Sequence, residues 1–237
     1  MSQNAITDAT WADPGTATAW EDIYSGGNYE RIAYIGREVM PGLLARFVAD
    51  RWPPMAERPT GGPDAVASVG CGPAVDLFDL AVRFPDTEFY GYDVSESVIR
   101  DNRRLAAKYG YDNVHFAVDA LPDLEMDQEF DLVYCMATLY FVDDAETAVA
   151  ALYDRVTDDG VLVFNYPNRY TKARFDREFA GARRQLFGHV VDGDNLLSYQ
   201  RIGDLLGTRP RDYWAAVGAR GYSFVGRDTP CVYVEKA

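Results

Sequence analysis

From Ala65 onward, short apolar runs alternate with longer segments in which apolar side chains recur every three or four positions, the pattern of strands separated by amphipathic helices. AVASV (65–69) reads as a buried strand, Val75 to Phe84 as a helix begun by Pro73 at its first position, and TEFYGY (87–92) as a second strand. A helix from Glu96 to Tyr109 follows, with Ser95 as N-cap, then strands at VHFAV (114–118) and FDLVYC (130–135). Ala145 to Val156 reads as a helix leading into a fifth strand, GVLVFNY (160–166). Strands and helices at this spacing imply right-handed crossovers, so the expected class is α/β: a doubly wound, mostly parallel sheet with helices on both faces.

Both ends break the rhythm. GYSFVGR (221–227) and CVYVEK (231–236) are separated by three residues and are expected to pair as an antiparallel hairpin, completing a seven-stranded sheet. Between Trp20 and Arg51, Ile32, Ile35, Val39, Leu43, Leu44 and Phe47 recur at helical spacing, and the Pro- and Gly-rich WPPMAERPTGGPD is a linker. Residues 1–60 are therefore expected to form a helical cap and linker. Residues 61–237 form the main domain, with a helical lid inserted at about 170–220.

The 237 residues carry a formal charge of -14, with 37 acids against 23 bases, which opposes a general nucleic-acid-binding surface. No run approaches the ~20 apolar residues of a membrane span, and the chain reads as cytosolic. The charge is also unusual in kind: 26 Asp stand against 11 Glu, and three Lys against 20 Arg. That usage resembles salt-adapted, particularly haloarchaeal, proteins; GC-rich coding explains the excess of Arg over Lys but not the excess of acid. Cys71, Cys135 and Cys231 are too few and scattered for a disulfide framework or a zinc site.

Ligands of open α/β sheets bind at the carboxyl ends of the strands. There the first strand exits into ASVGCGPAVD, where Gly70 and Gly72 permit a tight turn and close approach of the backbone. Asp93, 21 residues beyond Gly72, ends the second strand in GYDVSES, where a carboxylate accepts from both hydroxyls of a ribose. Asp119 ends the third strand and is followed by Ala120 and Leu121, apolar neighbours suited to a flat ring. This order of glycine turn and two acids resembles the class I S-adenosylmethionine (SAM)-dependent methyltransferases over residues 65–169, and a reversed last strand fits them too. The resemblance implies SAM as cofactor, with Gly70 and Gly72 at its methionine end. It places Asp93 at the ribose and Asp119 at the adenine amino group, with Val94, Ala120, Leu121 and, at the exit of strand four, Met136 as further cofactor contacts. Two positions depart from the family pattern: Ser68 stands where an acid often precedes the turn, and Ala74 replaces the third glycine.

Other chemistries lack their central residues. There is no GK[ST], G-x-S-x-G or H-E-x-x-H. A nicotinamide oxidoreductase wants the full G-x-G-x-x-G, where this chain has Val75, and no lysine has a Tyr four residues before it. Methyl transfer needs mainly positioning, with a base only for acceptors that must lose a proton. Tyr140, Tyr166 and His189 are the candidate bases; His115, within a strand, reads as structural. Tyr24 and Tyr29, beside the Gly26–Gly27 hinge, are candidate contacts of a lid over the cofactor. Asp143 and Asp144 read as a helix start rather than a Mg²⁺ site. The expected function is methyl transfer to a small molecule. The alternative is a catalytically silent binding or scaffold protein of the same fold, which would bind the cofactor without turnover or have its pocket plugged by its own side chains.

Overall fold

The computed structural model describes residues 17–27 and 39–236. Strand β1 (Ala65–Val69) leads through α3 (Val75–Arg83) to β2 (Glu88–Asp93), then through α4 (Glu96–Tyr109) to β3 (Val114–Val118). β4 (Phe130–Cys135), α5 (Ala145–Asp154) and β5 (Val156–Asn165) follow. Ahead of this body lie α1 (Ala17–Ser25) and α2 (Met40–Arg51). After it come α6 (Arg169–Glu178), α7 (Gly181–Leu186), α8 (Gly188–Asp192), α9 (Tyr199–Leu206), β6 (Arg211–Asp212), α10 (Tyr213–Ala216) and β7 (Cys231–Glu235).

The seven strands form one sheet in the order β3-β2-β1-β4-β5-β7-β6. β1 to β5 are parallel, and β7 runs antiparallel between β5 and β6. The chain steps outward from β1 to β3 and then returns to β4, so the topological switch lies between β1 and β4. Each face of the sheet carries its own apolar layer. Leu44, Leu77 and Leu80 from α2 and α3 meet Val66 and Leu132 on one side, and Val149, Leu152 and Ile202 from α5 and α9 meet Val133 and Phe164 on the other. Each such burial contributes roughly 1.5–3 kcal/mol. A third cluster, including Ile23, Phe141, Phe175 and Phe187, knits α1, the 3-10 turn Leu139–Phe141 and α6 to α8 together. Among the described residues no helix is long and apolar enough to cross a membrane.

Local chemistry explains most of the boundaries. Ser95 caps α4, accepting from Val98 N–H at 3.4 Å, and Gly110 ends it in the left-handed conformation at φ 71°. Asp144 caps α5 through Thr147 N–H at 2.9 Å, the helix-start role expected of it. Pro73 is not the first residue of α3: it lies in the turn before it, and Ala74 takes a left-handed φ of 52° at the N-cap. The closing strand is antiparallel as expected, but its partners are β5 and the two-residue β6; residues 221–227 form turns rather than a hairpin arm. Thr229 is the cause. Its hydroxyl donates to Phe224 C=O at 2.6 Å and accepts from Gly226 N–H at 2.9 Å, while Phe224 turns its ring edge-on to Trp214 at 5.7 Å.

Candidate active site

At the switch point the backbone is drawn into a tight turn held from several sides. The N–H groups of Gly70 and Cys71 both donate to Tyr92 C=O, at 2.8 and 2.9 Å. Gly72 N–H donates to Asp93 Oδ2 at 2.9 Å, and its carbonyl accepts from Asn102 Nδ2 at 2.7 Å. Gly70 has φ 72°, and a Cβ there would run into the Thr138 side chain, so only glycine fits. Thus β1, β2 and α4 clamp the turn to the acid that ends β2.

A cleft opens over this turn, with about 680 Å³ of open space including its mouth. Gly70, Asp93, Val94, Asp119, Ala120 and Leu121 line it from the sheet side, as the sequence order suggests, and Met136 lines it from the exit of β4. Gly72 shapes the floor through its bond to Asp93 rather than by lining the cleft. Asp93 is 5% exposed and also accepts from Ser95 N–H at 3.0 Å. Burial raises its carboxyl above the usual range, opposed by backbone donors at Ser95, Gly72 and Val94 and by the Tyr24 hydroxyl.

Asp119 has a second occupation. Its Oδ1 accepts from Ala120 and Glu125 N–H at 2.8 and 3.0 Å, and its Oδ2 from Met126 N–H at 3.1 Å. Three backbone donors brace the loop after β3 and leave about one of the carboxylate's four acceptor sites for a ligand.

Helix α1 lies across the cleft. Trp20 and Tyr24 line it, and Glu21 fastens the helix to the start of α4. Glu21 Oε2 accepts from the Ser95 hydroxyl at 2.6 Å and from Ser97 N–H at 3.2 Å, where the helix dipole also favours a negative charge. The Ser95 hydrogen bond lowers the Glu21 carboxyl below its ordinary range despite some burial. Tyr29 lies outside the described residues.

A second, larger cavity adjoins the cleft, with about 1070 Å³ of open space including its mouth. Gly70, Met136, Ala137 and Phe141 line both, so these four form the shared wall. Ala137 is held there in a left-handed backbone at φ 58°, its N–H donating to Asn165 Oδ1 at 2.7 Å. Its lining is rich in aromatic side chains, among them Tyr140, Phe175, Phe179, Phe187, Trp214 and Phe224. Its charged members are Asp76, Arg174 and Arg183. Asp76, from the first turn of α3, accepts from the Tyr134 hydroxyl at 2.8 Å, and burial pushes its carboxyl up to about 6.

The three candidate bases separate. Tyr140 lines the cavity, but burial pushes its hydroxyl far above the ordinary range, so it stays protonated. Tyr166, pushed up to about 12 by burial, packs with Phe164 in the layer on the other face and lines neither space. His189 sits on the short α8 and lines neither space. His115 pairs on the surface with Glu88 at 2.8 Å. The cysteines are free thiols, with Cys135 and Cys231 buried. Glu21, Asp76 and Arg174 were not singled out from the sequence. Asp76 looks there like an ordinary helix-start acid, and Glu21 shares no motif with the residues it touches.

Comparison with known proteins agrees with this geometry. Residues 64–204 match the model of a family described as a methyltransferase domain. Curated relatives include a trans-aconitate 2-methyltransferase of Methylobacterium radiotolerans, 29% identical over 132 residues, covering 54% of this chain and 49% of the relative. A malonyl-[acyl-carrier protein] O-methyltransferase of Acetivibrio thermocellus is 29% identical over 121 residues, covering 51% and 42%. The chain thus spans about half the length of these curated relatives. Among solved structures, the magnesium protoporphyrin IX methyltransferase of Synechocystis PCC 6803 with bound SAH superposes with a TM-score of 0.61 at 15% identity, covering 92% of this chain and 98% of that one. The plantazolicin methyltransferase BpumL in complex with SAH gives a TM-score of 0.61 at 13% identity, with 93% of each chain covered. At such identities the likeness is one of fold. The family match, which spans more than half of the chain and contains both the glycine turn and the acid that ends β2, establishes that this chain belongs to the methyltransferase-domain family.

Proposed function

We propose that the protein is a SAM-dependent methyltransferase acting on a small-molecule acceptor. The observation that carries this reading is the pair of adjoining spaces at the switch point, one lined by a buried acid and a glycine turn, the other aromatic, with a common wall. The residues fit the cofactor: a buried carboxylate for the ribose at Asp93, apolar flanks for the adenine at Val94, Ala120 and Leu121, and a side-chain-free approach to the methionine end at Gly70, with Gly72 holding Asp93 from below. When bound, SAM supplies a methyl group already activated on a sulfonium. Asp93 would hold the ribose hydroxyls, the remaining acceptor site of Asp119 would serve the adenine amino group, and Trp20 and Tyr24 would cover the cleft.

In this reading α1 and residues 170–220 act as cap and lid, since α1 and α6 to α8 share the apolar cluster that borders both spaces, whereas α2 packs on the sheet. The chain's task is to exclude water and hold the acceptor against the shared wall; orientation of this kind reaches effective molarities of roughly 10⁵–10⁸ M. Tyr140, protonated, orients an acceptor rather than deprotonating it. The acidic surface supports a small-molecule acceptor over nucleic acid and a cytoplasm rich in salt. The open volume of both spaces runs against the plugged form of a silent scaffold.

Isothermal titration with SAM and with its demethylated product, S-adenosylhomocysteine (SAH), is expected to give a Kd on the order of micromolar for at least one. Asp93→Ala should abolish it while the fold, followed by circular dichroism, persists. Binding of neither by the unaltered protein would overturn the assignment.

A further inference from the structure

Buried polar side-chain atoms normally have partners, and each exception asks for an explanation. Two of the exceptions in this protein belong to side chains that line the large cavity: Asp76 Oδ1 and Arg174 Nε. They are opposite in charge. Asp76 engages the Tyr134 hydroxyl through Oδ2 only. Arg174 engages Asp228 Oδ2 through Nη1 at 2.6 Å, while the nearest Glu178 oxygen stands 3.9 Å from Nε, beyond hydrogen-bond reach. A second guanidinium, that of Arg183, lies over the Phe179 ring at 4.1 Å and is solvent-exposed, so the cationic region continues toward solvent. Partial burial and the neighbouring Arg174 charge both disfavour the Arg183 cation. Between these charges the lining is apolar, with Phe141, Phe175, Phe187 and Trp214.

An apolar ligand would leave both orphaned atoms unsatisfied, at a desolvation cost for each. A purely anionic ligand would satisfy Arg174 and oppose Asp76, and a purely cationic one would do the reverse. We propose that the cavity recognises an amphoteric small molecule: a proton donor, such as an amine or ammonium, held by Asp76, an anionic group held by Arg174 and Arg183, and an apolar body against the aromatic wall. This deepens the function proposed above and rests on the reading of this cavity as the acceptor site.

The test uses SAH-saturated protein and two matched sets of probes. One set is para-aminomethylbenzoate, its amide, and para-methylbenzoate; the other is phenylalanine, phenylalaninamide and 3-phenylpropanoate. Titration calorimetry is expected to show the amphoteric member of at least one set binding about tenfold or more tighter than both of its relatives. Asp76→Asn should erase the advantage over the deaminated probe alone, and Arg174→Gln the advantage over the amide alone. Arg183→Gln, at the exposed end, decides the anionic half if Arg174→Gln does not fold. Lack of preference for the amphoteric member in both sets, including failure of every probe to bind, overturns the proposal. So does an Asp76→Asn protein that loses SAH affinity but keeps its probe preference, since Asp76 then belongs to the cofactor. SAH binding by the unaltered protein is measured first; its absence defeats the methyltransferase reading itself, whereas its presence without probe preference defeats only the amphoteric site.

Discussion

Asp76 and Gly70 show how much single atoms decide here. Burial lifts the Asp76 carboxyl from an ordinary 3.8 to about 6, so the folded protein holds a proton that the unfolded chain releases between those values. Stability from this site is therefore highest below pH 4 and falls as pH rises to about 6, a loss of about 3 kcal/mol at most. Asp76→Asn is expected to raise the melting temperature at pH 8 and to change it little at pH 4; an equal shift at both would show that the carboxyl titrates normally. Gly70→Ala meets two obstacles, the clash with Thr138 and a left-handed φ. It should cost about 2 kcal/mol or more in denaturant unfolding. Adding Thr138→Ala removes the nearest hydroxyl and methyl but keeps a Cβ at 2.9 Å, so it should recover part of the clash and none of the backbone strain; full recovery in the double variant would contradict this account.

Among the elements, α1 is the one whose role a sequence reading misses in detail. Its Tyr24 stands out beside the Gly26–Gly27 hinge, yet the fastening to α4 is made by Glu21, 74 residues before Ser95. No local spacing reports such a contact. Glu21→Gln is expected to loosen α1 and speed SAH dissociation several-fold in stopped-flow fluorescence, with little change in melting temperature; unchanged dissociation would remove α1 from the role of cover. By contrast β1, β3, β4 and α4 were legible, because apolar runs and the Ser95 cap mark them independently of the rest of the fold. The segment 221–227 was not. Its alternating Tyr222, Phe224 and apolar neighbours have the period of a strand, but the two rings stack on each other and Phe224 meets Trp214 edge-on instead of entering the sheet. Likewise the cleft follows three strand ends in succession, whereas the larger cavity takes Met136, Ala137, Tyr140, Phe141 and Asn165 from the exits of β4 and β5 but the rest of its lining from residues scattered between Met40 and Thr229.

For the molecule as a whole, charge sets the conditions of folding. With a formal charge of -14, mutual repulsion destabilises the compact state at low ionic strength and is screened as salt is added. The melting temperature is expected to climb steeply between salt-free buffer and molar KCl; a flat profile would disconnect the acid-rich composition from salt adaptation. Charge is also unevenly spread, since Arg174 and Arg183 stand close enough for Arg174 to disfavour the cation of Arg183. Finally, Ala137 borders both chambers at once and is held in a backbone shape that glycine adopts without penalty. Trimming it to glycine would relax the chain and thin the partition between donor and recipient in one step. Enlarging it would crowd both spaces at once, so under the proposed function this position would set how bulky an acceptor can be.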